Sequence, residues 1–385
     1  MQRTIRISLE PSPAQAQQLA ETSRQFTAVF NAVCAHGWRE RVSNGVALHH
    51  ATYYPLKADY PDLVSDLHVQ ARVKATEAVK SALALHKAGR TVTQPHSDAC
   101  PPRYNLHTYR VDWESRTVRL SLIGGRQTVR FHIPDYSAKY AGYPTDTADL
   151  IERDGRWWLH VVVTVPAPDV APSDAVVGVD LGLSRPAVLS NNRFLGKRAW
   201  KANEGRVFTL KRALQQRGTK SAKRHLKRIR HKQARFRRNT DHVLSRQIVQ
   251  LVAPGATLVL ENLKDIRKRT RMRRKTETQR RIHSWSFAQL RAFIEYKAEE
   301  RGCMVVAVDP RHTSQACSRC GHSARNNRRS RALFVCRACG YALHADLNGA
   351  RNIAAKYRAE GGTSAFGGLP VNQPTVSDPT LRRSG

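Results

Sequence analysis

Apolar Ile5, Ile7 and Leu9 alternate with polar neighbours from Arg3 to Leu9, the period of a short strand. Pro11, Ser12 and Pro13 end it, and Ser12 can cap a helix whose first position is Pro13. Leu19, Phe26, Val29, Phe30, Val33 and Trp38 then recur at helical spacing to about residue 40, and a second helical pattern covers Val69 to Lys87. The stretch between them, Gly45 to Asp62, contains proline and reads as irregular. Residues 12–90 are therefore expected to be a small helical module whose aromatic stripe is core.

From Tyr109 the period changes to two. Tyr109 to Trp113, Thr117 to Leu122 and Gln127 to Ile133 read as strands, with Gly124-Gly125 as a hairpin turn. Asp149 to Arg153 and Trp157 to Val165 form a second hairpin around Asp154-Gly155. The first strand (1–11) and residues 91–172 together predict an antiparallel β-barrel with the helical module inserted after its first strand. Trp157 and Trp158 could stack bases, but alternation turns one of any such pair inward. Residues 167–175, APDVAPSDA, read as a linker.

The second half carries the chemistry. Ala175 to Asp180, AVVGVD, is an apolar strand ending in a carboxylate, followed by a glycine-containing turn and a second strand. An RNase H-like nuclease presents its first metal ligand in this way, although a strand-end aspartate can equally cap the next element. Ala256 to Glu261, ATLVLE, is a second buried strand ending in a carboxylate, for which a turn or ion pair is the plainer account. Asp346 lies in HADLNGARNIA, where Ala345, Leu347, Ala350 and Ile353 have helical spacing, and a carboxylate in a first turn also suits the helix dipole. Two strand-end acids and one helical acid can converge on a pair of Mg²⁺ ions, one activating water and the other stabilising the leaving 3′ oxygen.

Cys317-Ser-Arg-Cys320 and Cys336-Arg-Ala-Cys339 are two CxxC pairs separated by 15 residues, the spacing of a zinc ribbon. Four thiolates close the coordination of one structural Zn²⁺ and leave no open position for catalysis. His312, His322 and His344 are thus not expected to be ligands, and Cys34, Cys100 and Cys303 read as ordinary thiols.

Charge sharpens this picture. The chain has 385 residues with 65 Lys plus Arg against 30 Asp plus Glu, a net charge of +35. Residues 1–172 hold 20 basic and 16 acidic residues, whereas residues 173–385 hold 45 and 14. Arg206 to Arg238 contribute 14 cations with no acid between them, and residues 264–281 add ten more against Asp265 and Glu277. Solvated faces usually mix signs, so these tracts point to a nucleic-acid backbone. Among so few acids, a carboxylate at each expected strand or helix end raises the weight of Asp180, Glu261 and Asp346 together. No run approaches the roughly 18 to 20 apolar residues of a membrane span. The start MQRTIRISLEP has no apolar core of a secretory signal, and seven cysteines, an odd number, argue for a reducing interior.

GVDLG around Asp180, LVLENL around Glu261, TSQACSRCG to CRACG, and HADLNGARNIA around Asp346 resemble the TnpB family, insertion-sequence-encoded proteins similar to compact type V CRISPR effectors. The basic run before SRQIV and the stretch EYKAEERGCMVVAVDP fit the same pattern, so the likeness is detailed over about residues 173–357. It implies an α+β multidomain chain: a wedge strand (1–11), a helical recognition module (12–90) and the wedge β-barrel (91–172). An RNase H-like RuvC nuclease core (173–312), an inserted zinc ribbon (313–342), a RuvC C-terminal helix (343–359) and a disordered tail (360–385) complete it. It further implies RNA-guided cleavage of double-stranded DNA beside a short motif, with Asp180, Glu261 and Asp346 as the catalytic Mg²⁺ ligands and Cys317, Cys320, Cys336 and Cys339 on structural Zn²⁺. The partners would be a guide RNA from the element's own end and target DNA, with no membrane, in the prokaryotic cytoplasm at the nucleoid. The sequence leaves the oligomeric state open. A nuclease-silent RNA-guided repressor and a DNA transposase acting on element ends are the alternatives.

Overall fold

The computed structural model describes residues 1–183, 185–264, 266, 279, 282–283 and 285–361. The chain divides into two compact units, the first being Met1–Pro166 and the second starting at Ala167.

In the first unit, β1 (Gln2–Glu10) buries Ile5, Ile7 and Leu9. Ser12 then caps α1 (Pro13–Arg39): its hydroxyl accepts from the Gln15 amide while the Gln15 side chain accepts from the Ser12 amide. Gly45–Asp59 is a helix, α2, and not irregular chain as the proline suggested. The Asn44 side chain accepts hydrogen bonds from Val46 and Ala47, satisfying the first-turn amides, and Pro55 is tolerated inside the helix. Leu48 and Thr52 hold the inner face, and the helix ends one turn after the proline. α3 (Ser65–Lys87) completes the helical layer, and Phe26, Leu48, Leu67 and Val79 share one core with the sheet.

The sheet comprises β1, β2 (Arg103–Tyr104), β3 (Tyr109–Asp112), β4 (Thr117–Leu122), β5 (Gly125–His132), β6 (Thr145–Arg153) and β7 (Arg156–Thr164), with a short α4 (Asp135–Ala138) before β6. Its order is β2-β6-β7-β1-β5-β4-β3, and every pairing is antiparallel. The two edge strands, β2 and β3, are joined by residues 105–108 alone. That connection spans at most about 17 Å, whereas seven flat strands about 4.8 Å apart would place the edges about 29 Å from one another. The sheet must therefore curl until it nearly closes, as the barrel expectation required, although no ladder joins β2 to β3 among the described residues. Asp154-Gly155 is the predicted hairpin turn, both residues at positive φ, with Arg153 opposite Arg156. The other turn falls on Ile123-Gly124, because Leu122 already pairs with Gly125. Trp157 points inward and is 7% exposed, while Trp158 is half-buried.

In the second unit, β8 (Val176–Asp180), β9 (Ala187–Leu189) and β10 (Arg193–Leu195) form an antiparallel meander. The helices α5 (Arg198–Arg217) and α6 (Lys220–Gln250) follow, then β11 (Thr257–Glu261), α7 (Phe287–Glu299) and β12 (Met304–Val308). The sheet order is β10-β9-β8-β11-β12, with β8, β11 and β12 parallel. Their near-continuous apolar runs suit strands covered on both faces. A hairpin of β13 (Leu333–Val335) and β14 (Ala342–His344) precedes α8 (Ala345–Ala359), which packs on β8. The expected disordered tail lies outside the described residues from 362 on, as does most of the basic tract at 264–281.

Candidate functional site

Parallel pairing of β8 with β11 brings their carboxyl ends to the same sheet edge. Leu260 lies opposite Val179, so the next residues, Glu261 and Asp180, stand side by side. The third acid arrives on α8, which crosses β8 at unusually close range. A Cβ on Gly178 would lie 2.1 Å from the Ala350 carbonyl oxygen, and one on Gly349 would lie 3.1 Å from Asp180 Oδ2. Only glycine permits that approach, and it brings Asp346, one turn before Gly349, near enough to Asp180 to act on its charge.

The cleft has a volume of about 400 Å³ and is lined by Asp180, Glu261, Thr313, Ser314, Arg328 and Gly349 among others. Burial, followed by the Glu261 and Asp346 carboxylates, pushes the Asp180 carboxyl well above its usual range, and Arg328 opposes this. Burial also raises Glu261, against a lowering hydrogen bond from the Thr313 hydroxyl at 2.6 Å and the charge of Lys356. Arg328 Nη2 donates to Asp346 Oδ1 at 2.9 Å. His344 caps α8, its Nδ1 accepting from the Asp346 amide at 3.2 Å. Asp180 and Glu261 line the cleft, Asp346 is near enough to act on Asp180 and is paired with Arg328, and the charge of Lys356 acts on Glu261. Such an oxygen donor set with surplus negative charge suits a hydrated divalent cation such as Mg²⁺.

The four ribbon cysteines converge as well. Their sulfurs lie within 4.8 Å of one another, with Cys317 to Cys339 at 3.8 Å and Cys320 to Cys336 at 3.6 Å. Tetrahedral Zn–S bonds of about 2.3 Å place sulfurs about 3.8 Å apart, so the cluster fits zinc. Gly321 and Gly340 take positive φ just after the second cysteine of each pair, where their amides bond back to the Cys317 and Cys336 carbonyls. Backbone N–H groups of Cys339 and Ala338, with help from neighbouring thiols, pull Cys336 down to about 6 against desolvation. Among the described residues no histidine joins the cluster, and Cys34, Cys100 and Cys303 are buried elsewhere.

The basic run becomes two helices broken at Gly218, which stands at φ +65°, with Thr219 capping the second. Leu214, Ala222 and Ile229 seal them together. Twelve of its fourteen cations are exposed, and only Lys211 and Arg237 are half-buried, so the run forms an open cationic face.

Sequence reasoning missed Arg328 and Thr313, which hold Asp346 and Glu261, and the glycines that let α8 approach. Arg328 is one of four arginines between Arg325 and Arg331, and nothing in that run singles it out.

Residues 287–353 match the family described as Cas12f1-like, TNB domain. The chain is 31% identical over 235 residues to the CRISPR-associated endodeoxyribonuclease Cas12f1 of Sulfoacidibacillus thermotolerans, covering 55% of this chain and 53% of that one. It is 31% identical over 220 residues to the putative RNA-guided DNA endonuclease InsQ of Escherichia coli, covering 52% and 54%. A TnpB-like protein of Aquifex aeolicus is 33% identical over 97 residues, 25% of this chain and 31% of that one. The chain resembles the TnpB-like proteins and their Cas12f1 relatives. It spans about half the length of the curated relatives it matches. In fold, it superposes on the cryo-EM structure of a Cas12f1–sgRNA–target DNA complex with a TM-score of 0.61 at 16% identity, covering 88% of this chain and 81% of that one. That structural likeness shows a mixed α/β architecture. No helix among the described residues is long and apolar enough to cross a membrane.

Proposed function

We propose that this chain is an RNA-guided DNA endonuclease of a transposable element, cutting double-stranded DNA beside a short motif under the direction of a guide RNA. The observation that carries the reading is the convergence of Asp180 and Glu261 at one sheet edge with Asp346 from α8. On this reading residues 173–312 and 343–359 are an RNase H-like RuvC core, with residues 313–342 as a zinc ribbon set into it. Residues 1–11 and 91–172 are the wedge and residues 12–90 the recognition module.

Asp180, Glu261 and Asp346 would hold Mg²⁺, which supplies a polarised water and compensates charge on the leaving 3′ oxygen. The chain's own residues prepare that site. Thr313 fixes the Glu261 carboxylate and Arg328 fixes Asp346, so two of the three acids are oriented before any cation arrives. Arg328 also brings positive charge to the cleft, which would favour a phosphate bound there. The exposed cations of α5 and α6 bind nucleic-acid backbone collectively and without reading sequence. Cys317, Cys320, Cys336 and Cys339 would hold Zn²⁺ as a structural clasp.

The test is the RNA that copurifies with the protein expressed beside its native flanking DNA, followed by cleavage with that RNA. One defined flank transcript, target cutting, and loss of cutting with retained target binding in Asp180→Ala are expected. A wild type that binds but never cuts would instead mark a repressor, and strand-transfer products would mark a transposase.

A further inference from the structure

The helix that brings Asp346 to the cleft is laced along one stripe to the loop that enters the cysteine cluster. Asn348 is completely buried, a costly place for an amide unless both of its ends are paired. Both are: Asn348 Oδ1 accepts from the Ser318 amide at 3.0 Å, and Nδ2 donates to the Ala316 carbonyl at 2.7 Å. These partners flank Cys317, the first ligand of the zinc cluster, and the Ser318 amide lies between the two cysteines of the first pair. One turn on, Asn352 Nδ2 donates to the carbonyls of Thr313 at 2.8 Å and Ala316 at 2.7 Å. Thr313 is the residue whose hydroxyl holds Glu261.

Asn348 is thus placed between the cysteine cluster and the acidic cleft. On one side it fixes the backbone of the zinc loop. On the other it sits two residues after Asp346 and directly before Gly349, where a Cβ would lie 3.1 Å from Asp180 Oδ2. The two amides are not equivalent in this lacing. Ala316 O keeps Asn352 as a donor if Asn348 is lost, whereas among the described residues no other hydrogen bond replaces Asn348 at the Ser318 amide.

We propose that Asn348 is a positioning residue that couples order in the zinc loop to the seating of the Asp180/Asp346 carboxylates, so that zinc occupancy sets the affinity of the cleft for its divalent cation. This rests on the reading of the cleft as a divalent-cation site. A side chain holding a ligand-bearing helix from behind typically changes metal affinity by about 10–100-fold when removed.

The experiment is a two-by-two cycle on the full chain: wild type and Asn348→Ala, each with zinc bound and after zinc removal by chelation. The readout is Mn²⁺ affinity by titration calorimetry, with Asp180→Ala marking heat that does not come from the cleft and circular dichroism monitoring helix content. Expected is a fall of about 10–100-fold in Mn²⁺ affinity in Asn348→Ala with zinc still bound, and a comparable fall in wild type on zinc removal. The two should be non-additive, zinc removal having little further effect in Asn348→Ala. Additive losses, or unchanged Mn²⁺ affinity in the zinc-loaded variant, overturn the coupling. If Asn348→Ala fails to keep zinc, the wild-type pair decides: equal Mn²⁺ affinity with and without zinc overturns it. Because binding is read without cleavage, a wild type that binds Mn²⁺ in the cleft yet never cuts refutes the nuclease reading while the coupling result stands.

Discussion

Gly349→Ala separates what the α8–β8 crossing does for stability from what it does for chemistry. Gly349 lies inside α8 and is not at positive φ, so alanine fits the backbone and favours the helix by about 0.8–1.0 kcal/mol. Its Cβ would lie 3.1 Å from Asp180 Oδ2, tighter than ordinary van der Waals contact, and at an ordinary 3.6 Å from the carboxyl carbon. The rest of the crossing cannot yield, because Gly178 already lets backbone meet backbone at the limit. The Asp180 carboxylate must therefore move by a few tenths of an ångström. Metal–ligand distances tolerate only about ±0.2 Å, so the displacement spoils coordination while leaving the core intact. The expected outcome is a melting temperature equal to or above wild type together with target cleavage slowed by about 10–100-fold at fixed Mg²⁺. Thermal denaturation and a single-turnover cleavage assay with bound guide RNA measure the two. Wild-type cleavage by Gly349→Ala would refute the account of the cleft, since it would show that Asp180 need not sit where α8 now confines it.

Arg328→Gln should leave target binding within about twofold while lowering cleavage by about 10-fold or more, since it removes the cleft's arginine but none of the exposed cations of α5 and α6. Gel-shift and cleavage assays on the same preparation separate the two effects. Cys336→Ser should reduce zinc content, measured by elemental mass spectrometry, from one ion per chain to substoichiometric, because one of four converging sulfurs is gone. A pH prediction concerns Asp241 on α6, which is buried and accepts from the Ser286 hydroxyl at 2.7 Å. Burial chiefly raises its pKa from 3.8 to about 6, with Ser286 and Arg237 opposing. A raised carboxyl disfavours folding when charged, so the penalty is present above about pH 6 and gone below about pH 4. Asp241→Asn should therefore stabilise at pH 7.5 by up to about 3 kcal/mol, two pH units at about 1.4 kcal/mol each, and by nothing near pH 4. Urea denaturation at the two pH values checks it, and an equal effect at both would refute it.

Much of the local structure was legible because local rules govern it. Period-two alternation located most of the strands of the first unit, and Asp154-Gly155 marked a hairpin because few residue pairs accept two positive φ values. The register of the Gly124-Gly125 hairpin slipped by one since the two glycines are equally permissive, and only the ladder, with Leu122 opposite Gly125, chooses between them. α2 was missed because proline is the stronger signal in isolation. Yet Asn44 closes the first turn, and burial of Leu48 and Thr52 outweighs what Pro55 takes away. The candidate acids could be singled out for a different reason: in a half-chain with 45 cations and 14 carboxylates, an acid at the end of each apolar strand stands out.

What holds those acids left no such trace. Thr313 reaches Glu261 across 52 residues, Arg328 reaches Asp346 across 18, and Asn348 reaches Ser318 across 30. Each of the three is an ordinary residue among similar neighbours and acquires its role from the fold alone. Gly178 and Gly349 illustrate the same limit, since a glycine in a strand or helix reads as a weakness until the opposing backbone is in place. A carboxylate's chemistry is a property of its residue type, whereas its orientation is a property of contacts between distant segments. Hence the candidate acids of such a site can be nominated from sequence, while substitutions that disable it without touching an acid have to be found in the packing of α8 against β8 and the cysteine loop.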